Sequence, residues 1–467
     1  MVQERAWSEG SANGLARNRL SQSETIGQSL ASVAPTATPA MVIPLVLAAC
    51  GQSAWLAYLL ALFGIFCLTS QINFFARRSS SPGSYYTYVQ TSLGRWPSLI
   101  AGWALFFAYA GTAASVTGGL TSYAYALIIP NAQPTAWVAT LLTLASLSAA
   151  GWFAYRDVQL SARLMLWIEA ASVLLILLLI LWPGHPRALH WDHAQLLLQH
   201  ASLSSLRNGL VLAIFSFSGF ESAAALGAEA ANPHKTIPRA IRLTAFVSGV
   251  FFIFATYAEK IGLDDQIESI ANAGAPLQLL AHLRGLLFLA PLLSIGAVIS
   301  FFACSLACIT AGARTLFALS RDRHLPAFLG RAHRTNRTPH SAVILTALLA
   351  LAATLPLITL GITPFDIYGW IGTVATYGFI TVYLLVTLAA VTLRTKTEGL
   401  NAWQLLVALA SLMVFGLAAW SSLDFSAAPA RWFPIVFSLF LFAGITGTLL
   451  THRRNRLRTS TTLAAAD

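Results

Sequence analysis

Runs of about twenty apolar residues, divided by short polar breaks, recur along the whole chain and restrict its fold more than any other feature. A helix needs about 20 residues to cross a hydrocarbon core of roughly 30 Å. About twelve runs meet that length. They lie near Leu30–Cys50, Ser53–Ala76, Trp96–Ile129, Thr135–Ala154, Val158–Trp182, Leu203–Ala230, Ile241–Ala258, Gly285–Ser320, Ser341–Leu360, Asp366–Val391, Ala402–Trp420 and Trp432–Leu450. Strands of a membrane barrel are about ten residues long with a period of two, whereas these runs are twice that and continuously apolar. Hydrocarbon offers no partner to a backbone N–H or C=O, so helices remain. The expectation is an all-α integral membrane protein of about 12 transmembrane helices. Only 10% of the residues are charged, against about 25% in an ordinary soluble domain.

The formal net charge of +11 raises nucleic acid as a partner, and the placement of the charge argues against it. The N-terminal tail, alternate loops and the C-terminal tail hold 23 of the 28 Lys and Arg residues. That asymmetry is what the positive-inside rule produces, so both termini are expected in the cytoplasm and the membrane is expected to be a bacterial-type cytoplasmic (inner) membrane. The basic excess then reports contact with anionic membrane lipid. The first thirty residues are polar and mixed in charge, unlike a cleavable leader, so the first span is expected to stay.

Two spans are interrupted in the same way. The first carries Pro35 and Pro39 within "ASVAPTATPAMVIP", and proline removes a backbone donor and clashes with the preceding turn. The sixth carries Ser216, Ser218, Gly219, Glu221 and Ser222 within "FSFSGFESAAALGAEAANPHKTIPRAI". They open two blocks of five spans. Matching broken helices point to an inverted-repeat transporter with its substrate between the breaks. A solute bearing a carboxylate and an ammonium suits such a site, because half-helix N-termini attract the first and freed carbonyls accept from the second. Kinking or close helix packing is the alternative use of such residues.

The stretch "FSGFESAAALGAEAANPHKTIPRAI" resembles the helix 6 signature of the amino acid, polyamine and organocation transporter superfamily, through Gly219, Phe220, Glu221, Glu229, Asn232, Pro233, Lys235, Ile237 and Pro238. "RRSSSPGSYYTYVQTSLG" is similar to its loop after helix 2, and "ARTLFALSRDRHLPAFLGRAHRTNRTPHSA" to its loop after helix 8. The resemblance implies a leucine-transporter-like fold of five plus five inverted helices with two added at the C-terminus. By residue this gives a cytoplasmic tail over 1–29, a first repeat over 30–182, an extracytoplasmic loop over 183–202, a second repeat over 203–391, helices 11 and 12 over 392–450, and a cytoplasmic tail over 451–467. It further implies transport of amino acids or related amines. Two positions depart from the family pattern. The usual glycine-rich helix 1 break is replaced by Ala34, Pro35, Thr36, Ala37, Thr38 and Pro39, and Ser172 stands where some proton-coupled members carry a lysine.

The candidate substrate-binding residues are therefore Ala34, Pro35, Thr36, Ala37, Thr38, Phe215, Ser216, Phe217, Ser218 and Gly219, with the backbone amides of Thr36 to Thr38 expected to meet a carboxylate. In the resemblance Phe215 occupies the place of an aromatic gate; ordinary packing is its alternative. Gly219 permits close approach at the break. Glu221 is a carboxylate inside a span, expected to hold helices 1, 6 and 8 together or to carry a proton. Glu169, the other acid read inside a span, is read as an intracellular gate or packing ion pair, with substrate contact as the alternative. Glu229, Asn232 and Pro238 read as a helix stop and rigid loop with a gating role for Glu229. Glu169, Ser172, Glu221 and Glu229 are thus the gating or coupling candidates beside Phe215.

Other chemistries find no support. The four cysteines, Cys50, Cys67, Cys304 and Cys308, all fall in spans as packing residues, and the histidines at 185, 190, 193 and 200 share one loop without metal-ligand spacing. No Gly-x-x-x-x-Gly-Lys-Ser/Thr loop is present to hold ATP, and no Ser/His/Asp constellation has an ordered context, so the chain is read as no enzyme and as needing no cofactor beyond a coupling H+ or Na+. The reading is a secondary transporter of neutral or weakly polar amino acids working by alternating access. A polyamine or cationic amino acid exchanger is the alternative, and a transport-inactive membrane sensor the alternative of another class. The sequence assigns no oligomeric state.

Overall fold

The computed structural model describes residues 20–79, 81–130, 132–156, 159–182, 193–197, 202–263, 274–423 and 428–464. Helices account for its regular structure, and no strand is present among the described residues; the single bridge joins Leu20 to Ala230. Ten helical stretches among them are long and apolar enough to cross a membrane. One of these, Gln22–Ala76, is 55 residues long, and Glu169–Leu181 is a shorter apolar helical segment.

The first stretch shows how local chemistry sets the architecture. Helix α1 (Gln22–Val33) starts on a capping box in which Ser21 and Glu24 bond each other's backbone amides. It begins eight residues before the expected first span, inside the stretch read as a tail, because that cap precedes the apolar run. It stops at Ala34, which takes a left-handed φ of 50° ahead of Pro35. A single π-helical turn, Thr38–Val42, follows with Pro39 in its first turn, and then α2 (Ile43–Cys50). Helix α3 (Ala54–Ala76) returns after a short turn.

After the short α4 (Tyr85–Leu93), α5 (Arg95–Ala126) forms the centre of the bundle. It packs most extensively against α11 (Leu289–Arg321) and α13 (Pro364–Thr397). Glycines allow this closeness: a Cβ on Gly118 would meet the Tyr368 backbone N at 3.0 Å. Around the centre stand α6 (Ala136–Arg156), α7 (Gln159–Leu181), α8 (Leu203–Phe217) and α9 (Pro233–Leu263), with α10 (Pro276–Leu283) leading into α11. Helices α12 (His340–Thr359), α14 (Ala402–Ser421) and α15 (Phe433–Ala464) complete the rim. Their outward faces carry exposed large apolar side chains, among them Trp403, Leu409 and Phe442. Such a surface is stable only against hydrocarbon.

The expected sixth span, Leu203–Ala230, is α-helical only to Phe217. Ser218 and Gly219, the latter with φ +90°, end α8, and Ser222–Leu226 continues as a 3-10 helix. The expected rigid loop is also partly corrected. Asn232 does end the segment, with φ 51°, but Pro238 lies inside α9, because Pro233 at the first helical position starts that helix five residues earlier.

Candidate substrate site

The two breaks meet. A Cβ added to Gly219 would lie 2.6 Å from Ser32 Cβ, so only glycine lets the α8 break approach the end of α1. Further bonds tie the same pieces. Ser222 Oγ donates to the Gln28 carbonyl at 3.2 Å, and the Ala223 amide donates to Ser29 Oγ at 3.2 Å. On the other side of α1, Cys304 Sγ donates to the Ser32 carbonyl at 3.0 Å and Gln28 Nε2 to the Ala307 carbonyl at 3.2 Å.

The freed amide at the first break is not vacant. Thr36 N donates to Glu169 Oε1 at 2.6 Å, and Ser300 Oγ donates to the same oxygen at 3.1 Å. Glu169 therefore joins α7, the α1 break and α11. It forms no described ion pair, and the side chain of Arg163 lies outside the described residues. Around the breaks, the buried hydroxyls of Ser218 and Ser305 have no hydrogen-bond partner among the described residues, while that of Thr36 lies beside the Glu169 carboxylate and that of Ser32 beside Cys308. An unpaired buried hydroxyl costs about 1–3 kcal/mol, so those of Ser218 and Ser305 are available to a polar ligand.

A chain of aromatic side chains links the two breaks. Phe215 packs edge-on to Tyr368 with ring centroids 5.9 Å apart, Tyr368 contacts Phe301 at 5.8 Å, and Phe301 contacts Tyr123 at 6.0 Å. Tyr123 accepts from the Leu277 amide and donates to the Ala40 carbonyl, both at 3.0 Å, which locks α10 and α5 onto the π turn. Ser216 exchanges a 3.0 Å hydrogen bond with Tyr58 of α3, while Phe217 turns toward α9, where its ring packs 5.4 Å from Phe252. Ala34, Pro35, Ala37 and Thr38 are all buried at the α1 break.

The remaining candidates make other contacts. Glu221 is fully buried and accepts from Tyr109 at 3.1 Å and Tyr383 at 3.2 Å. Its carboxylate thus bridges α5 and α13, instead of the expected helices 1 and 8. Ser172 packs against Gly296 of α11, where a Cβ would collide with its hydroxyl. Glu229 forms a forked ion pair with Arg314, at 2.7 and 2.8 Å through Nη2 and 3.2 Å through Nε. The backbone beside it is clasped as well: Leu20 N donates to the Glu229 carbonyl and Ala231 N to the Leu20 carbonyl.

Tyr123, Tyr368 and Ser300 stand beside the breaks without a sequence signal that marks them. Glu259 is a further omission: it is 2% exposed, and its Oε1 has no hydrogen bond. The apolar run read to Ala258 hid it, although an acid directly adjoining a span is itself a signal. Of the histidine loop, 185, 190 and 200 lie outside the described residues and His193 is exposed; no group of three or more metal-ligating residues occurs among the described residues.

The family model for "Amino acid permease" matches residues 26–436. The chain belongs to the amino acid permease family. This permease is 30% identical over 321 residues to an uncharacterized transporter of Mycobacterium tuberculosis, covering 68% of this chain and 67% of the relative. It is 26% identical over 304 residues to the low-affinity putrescine importer PlaP of Escherichia coli, 64% of this chain and 66% of that one. Against the branched-chain amino acid permease BcaP of Bacillus subtilis the identity is 23% over 355 residues, 72% of each. Both the family and these relatives are transporters, so this permease is an integral membrane protein with no enzymatic assignment.

Proposed function

We propose that this permease is a secondary transporter that carries a small amine-bearing solute by alternating access around the breaks in α1–α2 and α8. The observation supporting it is the close approach of Gly219 to Ser32 beside the buried, unpartnered hydroxyls of Ser218 and Ser305. A polar solute satisfies those groups, and Phe215 closes over it. Counting Gln22–Ala76 as two crossings and Gln159–Leu181 as one gives twelve spans, arranged as five plus five inverted helices and two more. Both termini then face the cytoplasm, the side to which the Glu229–Arg314 pair also belongs. A gradient of H+ or Na+, or plain exchange, supplies the energy.

Amino acids are the leading substrates. A second reading has an observation of its own in its favour: the Glu169 carboxylate already occupies the Thr36 amide that an amino acid carboxylate needs. A substrate without a carboxylate leaves that bond intact and brings its ammonium to the same carboxylate. The name of the putrescine importer among the relatives agrees with this reading, and that of the branched-chain permease with the first.

Uptake of labelled amino acids and polyamines into proteoliposomes, under proton and sodium gradients imposed separately and with Gly219→Leu as control, tests the proposal. Accumulation of one class by the native chain and none by the control is the expected result. Absence of uptake under every gradient, together with absence of exchange in preloaded vesicles, rejects transport in favour of a sensor.

A further inference from the structure

At one end of the bundle, α3, α9, α13 and α14 enclose a cavity of about 430 Å³ that has no part in the transport site. Its lining includes Arg77, Arg78, Arg242, Arg394, Asn73 and Phe74. Four guanidinium groups face one carboxylate, that of Glu398, and Arg78 already pairs with it. The most telling member is Arg394, which is 6% exposed yet among the described residues makes one hydrogen bond, from Nη2 to the Ser70 carbonyl at 3.3 Å, and its buried Nε finds no partner there. The guanidinium carbons of Arg78 and Arg394 both lie against the Phe74 ring, at 4.1 and 4.6 Å from its centroid. Two like charges held on one ring, with a desolvated donor between helices and the single Glu398 carboxylate beside them, favour a further anion there.

We propose that this cavity binds a phosphate ester, and that its occupant is the headgroup of an anionic phospholipid. Guanidinium forks match phosphate oxygens in pairs, and basic pockets between membrane helices take acidic headgroups. The surroundings favour a lipid over a soluble phosphate. Phe66 lines the cavity and is 38% exposed, and its ring lies 6.2 Å from that of the exposed Phe246. The pair forms an apolar wall between α3 and α9, along which an acyl chain lies once the headgroup is seated. Leu405 and Leu409 of α14 are exposed on the same rim.

Native mass spectrometry of the delipidated full chain tests the assignment, with phosphatidylglycerol, phosphatidylcholine and inorganic phosphate as separate probes. Phosphatidylglycerol is expected to bind at least tenfold more tightly than phosphatidylcholine, and Arg394→Gln to weaken it about tenfold, the effect of one charge-assisted hydrogen bond. Arg77→Gln combined with Arg242→Gln changes two exposed side chains and is expected to give the same loss if the Arg394 variant does not fold. Equal binding of the two lipids, or unchanged binding in the double variant, overturns the site. Displacement of the lipid by inorganic phosphate at equal concentration overturns the lipid assignment in favour of a soluble phosphate ester.

Discussion

Glu169 Oε1 accepts the Thr36 amide at 2.6 Å across 133 residues of sequence, so a carboxylate of the protein itself caps the first break. Glu169→Gln keeps an acceptor for that amide and removes the charge. It is expected to leave the thermal midpoint within a few degrees of native and to lower uptake of a diamine at least tenfold, a difference of about 1.4 kcal/mol. Uptake of a neutral amino acid, measured on the same proteoliposomes, falls less if the amine reading holds. Equal losses for both solutes count against it.

Gly219→Ala places a Cβ 2.6 Å from Ser32 Cβ at a φ of +90°. Strain of this kind costs about 1–3 kcal/mol. The expected outcome is a lower unfolding temperature together with lost uptake. Ser32→Gly in the same chain removes the atom that is struck and is expected to restore part of the stability; no restoration means that the dihedral, and not the contact, is at fault.

Phe215→Ala removes the ring that packs against Tyr368. Solute binding, followed by scintillation proximity in detergent, is expected to persist, while uptake drops at least fivefold at equal expression. Unchanged uptake makes Phe215 a packing residue.

Glu229→Gln leaves the Arg314 guanidinium buried without its countercharge. Breaking a buried pair costs about 3–5 kcal/mol. A marked fall in thermal stability is expected, with partial recovery when Arg314→Met is added, since that change removes the stranded charge. Cysteine accessibility near Ala231 also rises if this pair closes one end of the pathway.

Tyr109→Phe and Tyr383→Phe each remove one hydrogen bond to Glu221 and are each expected to cost about 1 kcal/mol. The double variant leaves the carboxylate buried without either tyrosine hydroxyl and costs more than the sum. Thermal unfolding of the two single variants and the double variant checks this.

The sequence made some of this legible and hid the rest, and the division follows the range of the interactions. Pro35, Pro39 and Gly219 act on their own backbone, so both breaks are readable from local rules. Apolar runs report spans for the same reason. The start of α1 at Gln22 is equally local, but its polar face resembles a tail when hydropathy alone is the guide. Partners are different. Nothing near Glu221 announces Tyr109 or Tyr383, and nothing near Thr36 announces Glu169. Those pairings depend on which helices lie side by side, and helices that are apolar all round give little sign of which face meets which neighbour.

The Leu20 clasp has a mechanical consequence. Twelve rigid residues, about 18 Å of helix, connect Glu229 and Ala231 at one end of α1 to Ala34 and Thr36 at the other. Helix α1 therefore couples the Leu20 clasp rigidly to the first break. Anything that grips the polypeptide just ahead of Leu20 pulls directly on the cradle, and a tag fused there acts as a load on the machine it is meant to report.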